Sequence, residues 1–306
     1  MKKYICNLLL CVLLLHCIAC EKTEEISGQV PETPSGKLML KEAIEDLRNS
    51  ESFAIWLCAH RGNTLQGIES NVPENSLAAI QQAIDLDIDM VELDVRMTSD
   101  GVLVLMHDAS IDRTTNGSGS VSSLTYEELQ QYRLLSGDGL SDETIPTLEE
   151  ALRMGNGKIY FNLDIANKNI PARKIAGLLT TLGMSGQVLL YVSDDRNFAT
   201  DLKAENADLL LHPMVENTSD IEFYTSRWPD VCVMQLSTED AMEGTLSREI
   251  QNAGCVAFSN VVGRYDEYAL QGNFSGLVNM INKRIHLVQT DYWEIADEYL
   301  VSKGYR

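Results

Sequence analysis

The 306-residue sequence has few aromatic and few basic residues. Aromatic side chains make up 7% of the chain, and 24 Lys and Arg are set against 45 Asp and Glu, giving a formal net charge of −21. So acidic a surface repels polyanions, which argues against nucleic acid as a partner. With 20 Gly, 7 Pro and 44% hydrophobic residues, the chain is neither collagen-like nor fully disordered.

Cysteine gives no sign of a disulfide framework. Four of the seven cysteines lie within the first 20 residues, and the others are Cys58, Cys232 and Cys255. Each of these three lies in an apolar, strand-like run, and none belongs to a Cys-x-x-Cys pair or to a Cys/His set with zinc spacing. We therefore predict three buried packing residues.

The N-terminus has the pattern of an export signal. Positively charged residues 1–3 precede an apolar run, residues 5–18, that is short for a transmembrane helix. With Ala19 before Cys20, the segment resembles a bacterial lipoprotein signal. The resemblance implies lipidation of Cys20 and a periplasmic or cell-surface protein anchored to a bacterial membrane. Because Cys17 stands where such signals usually have Leu, a plain signal peptide or a retained anchor remains an alternative.

We predict three parts along the chain: a signal peptide at residues 1–19, a flexible tether at 20–37 and a folded domain at 38–306. Pro31, Pro34 and Gly36 among acidic residues favour the tether.

In the folded part, short apolar runs alternate with helical segments, as in parallel strands buried on both faces. The predicted strands are 54–60, 90–97, 158–165, 188–193, 208–215, 231–237, 254–260 and 285–291. The predicted helices include 38–49, 75–85, 148–154, 172–182 and 247–253. This α/β pattern predicts a (β/α)8 barrel. An open doubly wound sheet is the alternative, although residues 60–63 form no glycine-rich dinucleotide fingerprint.

One segment interrupts the alternation after the second predicted strand. A turn at 99–101 and an extended stretch at 102–106 lead into a polar insertion at about 109–145. A connection this long is usually functional, and in a barrel it lies on the catalytic face.

Polar residues cluster at the carboxyl ends of predicted strands, where barrels hold their functional groups. Glu92 and Asp94 are two apart on the second strand and face the same way, while Asp164 and Asp291 end the third and eighth strands. Converging carboxylates are costly unless a cation neutralises them, and hard oxygen ligands suit Ca²⁺ or Mg²⁺. Alternatively, Glu92 and Asp94 could form a barrel salt-bridge layer.

Two histidines flank this predicted cation site. His60 ends the first strand and His107 closes the extended stretch after the second. A pair of histidines can cleave a phosphodiester, one removing the nucleophile's proton and one protonating the leaving alkoxide. The cation and Arg61 would stabilise the charge that develops on phosphorus. We assign His107 as the acid and His60 as the base.

Short motifs follow one another between residues 59 and 150, and Thr290-Asp291 adds a late one. They are Ala59-His60-Arg61-Gly62, Pro73-Glu74-Asn75-Ser76, Val91-Glu92-Leu93-Asp94-Val95, Thr98-Ser99-Asp100-Gly101, His107-Asp108 with Ile111-Asp112-Arg113-Thr114-Thr115, and Ile145-Pro146-Thr147-Leu148-Glu149-Glu150. In order and spacing they resemble the glycerophosphodiester phosphodiesterase family. The resemblance implies a (β/α)8 barrel with a small insertion after the second strand. It also implies metal-dependent hydrolysis of a glycerophosphodiester to an alcohol and glycerol 3-phosphate.

The resemblance also assigns roles to residues. It implies that His60 and His107 are the acid–base pair and that Glu92 and Asp94 bind one divalent cation. Arg61 and Glu74 match positions that line the phosphate and the metal, and we predict that Asp291 and Trp293 line the substrate pocket.

The third strand departs from the family's Glu-Ile-Lys pattern, in which the Glu binds the metal and the Lys contacts phosphate. This chain has Asp164-Ile165-Ala166, so the carboxylate is one methylene shorter and the lysine is missing. Lys168 could replace that lysine if the following loop bends back. This departure keeps phosphoinositol-type or other polyol phosphodiesters open as substrates, and a non-catalytic binding lipoprotein open as a third alternative.

Overall fold

The computed structural model describes residues 39–137 and 139–306. The predicted signal peptide, the tether and the lipidation site Cys20 lie outside these residues. Across the described ranges, no helix combines the length and the apolar character that crossing a bilayer requires.

Eight parallel strands form a nearly closed barrel, and three short strands lie outside it. The barrel strands are β1 (Trp56–Ala59), β2 (Met90–Met97), β6 (Tyr160–Asp164), β7 (Val188–Ser193), β8 (Leu210–Pro213), β9 (Val233–Gln235), β10 (Val256–Asn260) and β11 (Leu287–Thr290). The others are β3 (Leu103–Leu105), β4 (Leu135–Ser136) and β5 (Gly139–Leu140). Around the barrel the order is β8-β7-β6-β2-β1-β11-β10-β9, and a parallel bridge from Met214 to Gln235 joins its two ends. The predicted (β/α)8 fold is confirmed.

Helices connect the strands and cover the outside of the barrel. They are α1 (Leu40–Asn49), α2 (Leu65–Glu69), α3 (Leu77–Asp85), α4 (Tyr126–Leu129), α5 (Leu148–Gly155), α6 (Ala172–Leu182), α7 (Arg196–Glu205), α8 (Thr218–Arg227), α9 (Thr238–Glu243), α10 (Leu246–Asn252), α11 (Arg264–Leu270), α12 (Ser275–Asn282) and α13 (Trp293–Lys303).

Successive side chains of each strand point alternately into and out of the barrel. This alternation creates an inner and an outer apolar core, and polar residues line the end of the barrel where the strands finish. On β2, Val91 and Leu93 point outward and pack with the helices, whereas Met90 points into the barrel. The inner core also contains Leu40 and Ile44 of α1. Cys58, Cys232 and Cys255 are all buried and free, as predicted from their apolar surroundings.

The segment between β2 and α5 has a small core of its own. Strand β3 pairs antiparallel with β2, and β4 and β5 form a hairpin. Val104, Ile111, Leu129 and Leu134 belong to the apolar cluster that packs this insertion. The insertion is therefore an ordered unit, and it holds His107 at the end of the barrel where β2 finishes.

Candidate active site

Three carboxylates converge at the carboxyl ends of β2 and β6. The register pairs Asp94 with Asp164, so Glu92, Asp94 and Asp164 share one inward face of two adjacent strands. Each offers an oxygen within 4.8 Å of the others, and Glu92 and Asp94 are only 5% and 2% exposed. The sheet register therefore creates the cluster that the sequence predicts.

Burial makes these negative charges expensive. Burial and the neighbouring charge of Asp94 raise the pKa of Glu92 to about 8. Burial also opposes ionisation of Asp94, yet Lys168, a hydrogen bond from Asn75 and Arg61 lower its pKa overall. Three hard oxygen ligands with this surplus of negative charge fit a divalent cation such as Ca²⁺ or Mg²⁺. Glu92, Asp94 and Asp164 are the residues that would hold it.

Arg61 links the first two strands of the site through a left-handed backbone, with φ of 56°. In this conformation its backbone N–H donates to Glu92 Oε2 at 3.0 Å. Its side chain donates to Glu74 Oε1 at 3.0 Å, and its Nε lies 3.3 Å from Asp94 Oδ2. A non-glycine residue in this region is strained, and such strain is concentrated at functional sites. Arg61 and Glu74 thus lie beside the cluster, as expected.

The loop after β6 bends back toward the barrel. Asn167 and Asn169 both have φ of 55°, a conformation that Asn tolerates better than most residues. Between them, Lys168 reaches back so that its Nζ lies 3.0 Å from Asp94 Oδ1 and 3.1 Å from Asp164 Oδ2. The amine is therefore inside the carboxylate cluster, although it starts two residues later than the family's lysine.

His60 is held by a chain of hydrogen bonds that leads to the buried Asp266. Its Nδ1 lies 2.8 Å from Asp291 Oδ1, which also accepts a hydrogen bond from Asn63. Asp266 in turn accepts hydrogen bonds from the Asp291 backbone N–H and from Thr290 Oγ1. Burial alone would lower the pKa of His60, but the bond to Asp291 and the charges of Glu92 and Asp291 raise it above its usual value.

His107 has a similar partner in a more open place. Its Nδ1 lies 2.6 Å from Asp108 Oδ1, and the ring is 43% exposed. Arg113 of the insertion donates to Asp108 and also to Glu74. Arg96 donates twice to the backbone carbonyl of His107. Ion pairs at the surface of the insertion thus fix the second histidine.

A cavity of about 130 Å³ joins these groups. Its lining residues come from the barrel strands and from the turns that follow them: His60, Glu92, Asp94, His107, Asn162, Asp164, Tyr191, Gln235 and Gln289. Asp291 does not line the cavity but contacts His60, which does. Trp293 is 8% exposed, packs in the outer core and does not line the cavity, so its predicted role at the pocket gains no support from its position.

Comparison with known proteins identifies the family. Residues 60–291 match the glycerophosphoryl diester phosphodiesterase family. The chain belongs to this family. A glycerophosphodiester phosphodiesterase of Caldanaerobacter subterraneus is 42% identical over 110 residues, 35% of this chain and 43% of the relative. Mouse glycerophosphodiester phosphodiesterase 1 is 47% identical over 98 residues, 31% of this chain and 28% of the relative. The aligned parts therefore span less than half of either curated relative.

Solved structures of phosphodiesterases share the fold. A glycerophosphoryl diester phosphodiesterase from Parabacteroides distasonis superposes with a TM-score of 0.76 at 24% identity, covering 88% of this chain and 93% of that one. An Oleispira antarctica phosphodiesterase, solved in complex with the product sn-glycerol-3-phosphate, has a TM-score of 0.63 at 22% identity, covering 81% and 98%.

In this glycerophosphoryl diester phosphodiesterase, several residues that line the cavity or bond to its carboxylates were not predicted from the sequence. Asn75 donates to Asp94 Oδ2 and accepts from the Asp94 backbone N–H, both at 3.0 Å. Asn162 and Gln289 each lie two positions before a predicted strand-end carboxylate, so the two-residue period of a strand could have placed them inside the barrel. Gln235 could not be placed inside the barrel in this way, because no carboxylate follows it at the end of its strand.

Proposed function

We propose that this protein is a metal-dependent phosphodiesterase that hydrolyses glycerophosphodiesters to an alcohol and glycerol 3-phosphate. The observation that carries the proposal is that two histidines and three carboxylates line one and the same cavity. Family membership supports the reaction class, and the product named in the Oleispira structure supports the substrate.

In the proposed mechanism the chain's own groups position the diester and move its protons. A bound divalent cation would supply positive charge next to the phosphoryl oxygens. Arg61, whose Nε lies 3.3 Å from Asp94 Oδ2, would add a second positive charge that stabilises the phosphoryl group. The Nδ1 atoms of His60 and His107 are engaged by Asp291 and Asp108, which leaves each Nε2 to exchange a proton with the substrate.

We retain His107 as the acid and His60 as the base in this proposal. The hydrogen bond to Asp291 and the negative charges of Glu92 and Asp291 raise the pKa of His60, which favours its protonated form. A cation bound to Glu92 would offset part of that effect and leave His60 better able to accept a proton.

We also propose that the enzyme is exported and is anchored through a lipid on Cys20. Residues 1–3, the apolar run 5–18 and the Ala19-Cys20 junction support this localisation. Asp291 and Trp293 stay assigned to the substrate pocket as predictions.

The decisive experiment removes each histidine separately. His60→Ala and His107→Ala should each lower kcat for glycerophosphocholine at least ~10²-fold, because each removes one partner of the acid–base pair. Chelation should abolish wild-type activity, and a divalent cation should restore it. Arg153→Ala is the matched control, since that side chain is 61% exposed on α5. Near-normal turnover in either histidine variant with an unchanged melting temperature would refute the mechanism.

A second candidate keeps the mechanism and changes the substrate to phosphoinositol-type or other polyol diesters. The Ala166 departure and the amides in the cavity favour it. Mass spectrometry of products from glycerophosphocholine, glycerophosphoethanolamine and glycerophosphoinositol would separate the two candidates. Absence of hydrolysis with any divalent cation would instead favour a binding protein.

A further inference from the structure

One side of the cavity differs chemically from the carboxylate side. Going round the barrel, β9 is four strands from β2 in either direction, so Gln235 lies across the barrel from Glu92 and Asp94. Gln289 comes from β11, next to the strand that precedes His60. With Tyr191 of β7, these residues form what we call the amide wall, defined as Tyr191, Gln235 and Gln289.

Both glutamine side chains lack a partner within the protein. Each is half-buried, and among residues 39–137 and 139–306 no group donates to or accepts from either side-chain amide. Other inward-facing amides are engaged. Asn162 Oδ1 lies 2.9 Å from His212 Nδ1, and Asn260 Oδ1 accepts from Thr238 Oγ1 at 2.9 Å. Two half-buried amides that face one cavity, with no partner among the described residues, are open to hydrogen bonds from a ligand bound there.

The chemistry of the amide wall indicates what that ligand offers. A primary amide both donates and accepts hydrogen bonds, as a hydroxyl group does. None of the three wall residues is an acid or a base that is charged at neutral pH, so the wall has no carboxylate to attract a quaternary ammonium and no cation to attract a second phosphate. Under the proposed function the opposite side, with its carboxylates, would bind the phosphoryl group, so a substrate with hydroxyl groups next to its phosphate could contact both sides at once.

We propose that Gln235 and Gln289 bind hydroxyl groups of a polyol moiety of the substrate and thereby determine specificity. The proposal rests on the phosphodiesterase function above and adds to it the part of the substrate that is recognised. The polyol could be the glycerol moiety common to all glycerophosphodiesters or a polyhydroxylated leaving alcohol such as inositol. Both present the same hydroxyl chemistry to the wall.

The test replaces each amide by a side chain of similar length that cannot form strong hydrogen bonds. Gln235→Met and Gln289→Met should each raise KM about tenfold, the effect of losing one hydrogen bond to a bound hydroxyl. The rise is expected for glycerophosphocholine and glycerophosphoinositol if the wall binds glycerol, and for glycerophosphoinositol alone if it binds the leaving alcohol. For bis(p-nitrophenyl) phosphate, which has no hydroxyl groups, kcat/KM should stay within about twofold, because no such bond exists to lose. Gln81→Met, the same change on the exposed face of α3, is the matched control.

The outcomes separate this proposal from the proposed function. Equal losses on glycerophosphocholine and bis(p-nitrophenyl) phosphate would mean that the amides only maintain the shape of the cavity. An unchanged KM for both glycerophosphocholine and glycerophosphoinositol would mean that they bind nothing. Either result overturns the proposal. A larger loss on glycerophosphoinositol than on glycerophosphocholine would assign the wall to the leaving alcohol. Equal losses on these two would assign it to glycerol.

A direct binding measurement tests the amide wall even if the protein cleaves no glycerophosphodiester. In that case the proposed function fails, and titration calorimetry with glycerol 3-phosphate and with inositol phosphate still examines the wall. Binding weakened by either Met substitution supports hydroxyl recognition. Binding of both ligands unaffected by the substitutions refutes it.

Discussion

The two histidines of the site have nearly the same local geometry but are held by different means. His60 and His107 each place Nδ1 within 2.8 Å of an aspartate oxygen. The first pair is inside the barrel mouth, where His60 is 16% exposed and Asp291 is anchored by Asp266. The second pair is on the insertion, where His107 is 43% exposed.

The two histidine rings are therefore oriented in two different ways. At the barrel end, Asp291 directly follows β11 and its backbone N–H donates to the buried Asp266, so the barrel backbone fixes the aspartate that orients His60. On the insertion, Arg113 neutralises Asp108 and holds its pKa well below the usual range. Exposed ion pairs contribute little stability and are screened by salt. The insertion side should therefore tolerate substitution better than the barrel side.

Replacing the two aspartates compares the sides directly. Asp291→Asn should lower kcat about 100-fold and Asp108→Asn about tenfold, within the range measured when a partner that orients a functional group is lost. Loss of the Asp291 charge should also lower the pKa of His60, because that charge and hydrogen bond raise it. The limb of the pH–rate profile that reports His60 should then shift to lower pH.

The pH profile distinguishes this role from a structural one. A destabilised protein would lose activity without moving either limb. Equal losses of kcat in the two variants would contradict the proposed difference between the sides, as would a shift of the His60 limb in Asp108→Asn.

Much of this centre could be predicted from the sequence, because strand periodicity carries the information. Glu92 and Asp94 share a face by being two residues apart, and Asp164 adjoins them because β2 and β6 are neighbours. Eight apolar runs alternating with helices were enough to predict the barrel. The order and spacing of the motifs led to the prediction that His60 and His107 are the acid–base pair.

Other features depend on contacts between distant residues that no local pattern encodes. The return of Lys168 requires left-handed conformations at the two asparagines that flank it, Asn167 and Asn169. Arg113 reaches Glu74 across 39 positions of the chain, and Gln235 faces the cavity only because the barrel closes between β8 and β9. Trp293 beside Asp291 suggested a pocket residue, but the helix α13 turns its side chain into the outer core.

Lys168 offers a test confined to the barrel side. Its ammonium lies within 3.1 Å of Asp94 and Asp164, two of the three proposed ligands, so it would compete with a divalent cation for the same charges. Lys168→Met should therefore tighten Ca²⁺ or Mg²⁺ binding, measured by calorimetry, on the order of tenfold. Lys168→Arg keeps the charge and should leave affinity near the wild-type value. Weaker binding in the Met variant would mean that Lys168 organises the ligands instead of competing for them.

Arg113→Gln gives the smallest expected effect and tests the insertion side alone. Without the guanidinium, Asp108 loses its partner but remains beside His107, so kcat should fall only about threefold at low salt and less at high salt. Cation affinity should not change, because Arg113 contacts none of the three carboxylates of the cluster. Arg153→Gln breaks another exposed Arg–Glu pair and should leave activity unchanged. A loss as large as that of Asp291→Asn, independent of salt, would show that the insertion is held as rigidly as the barrel end.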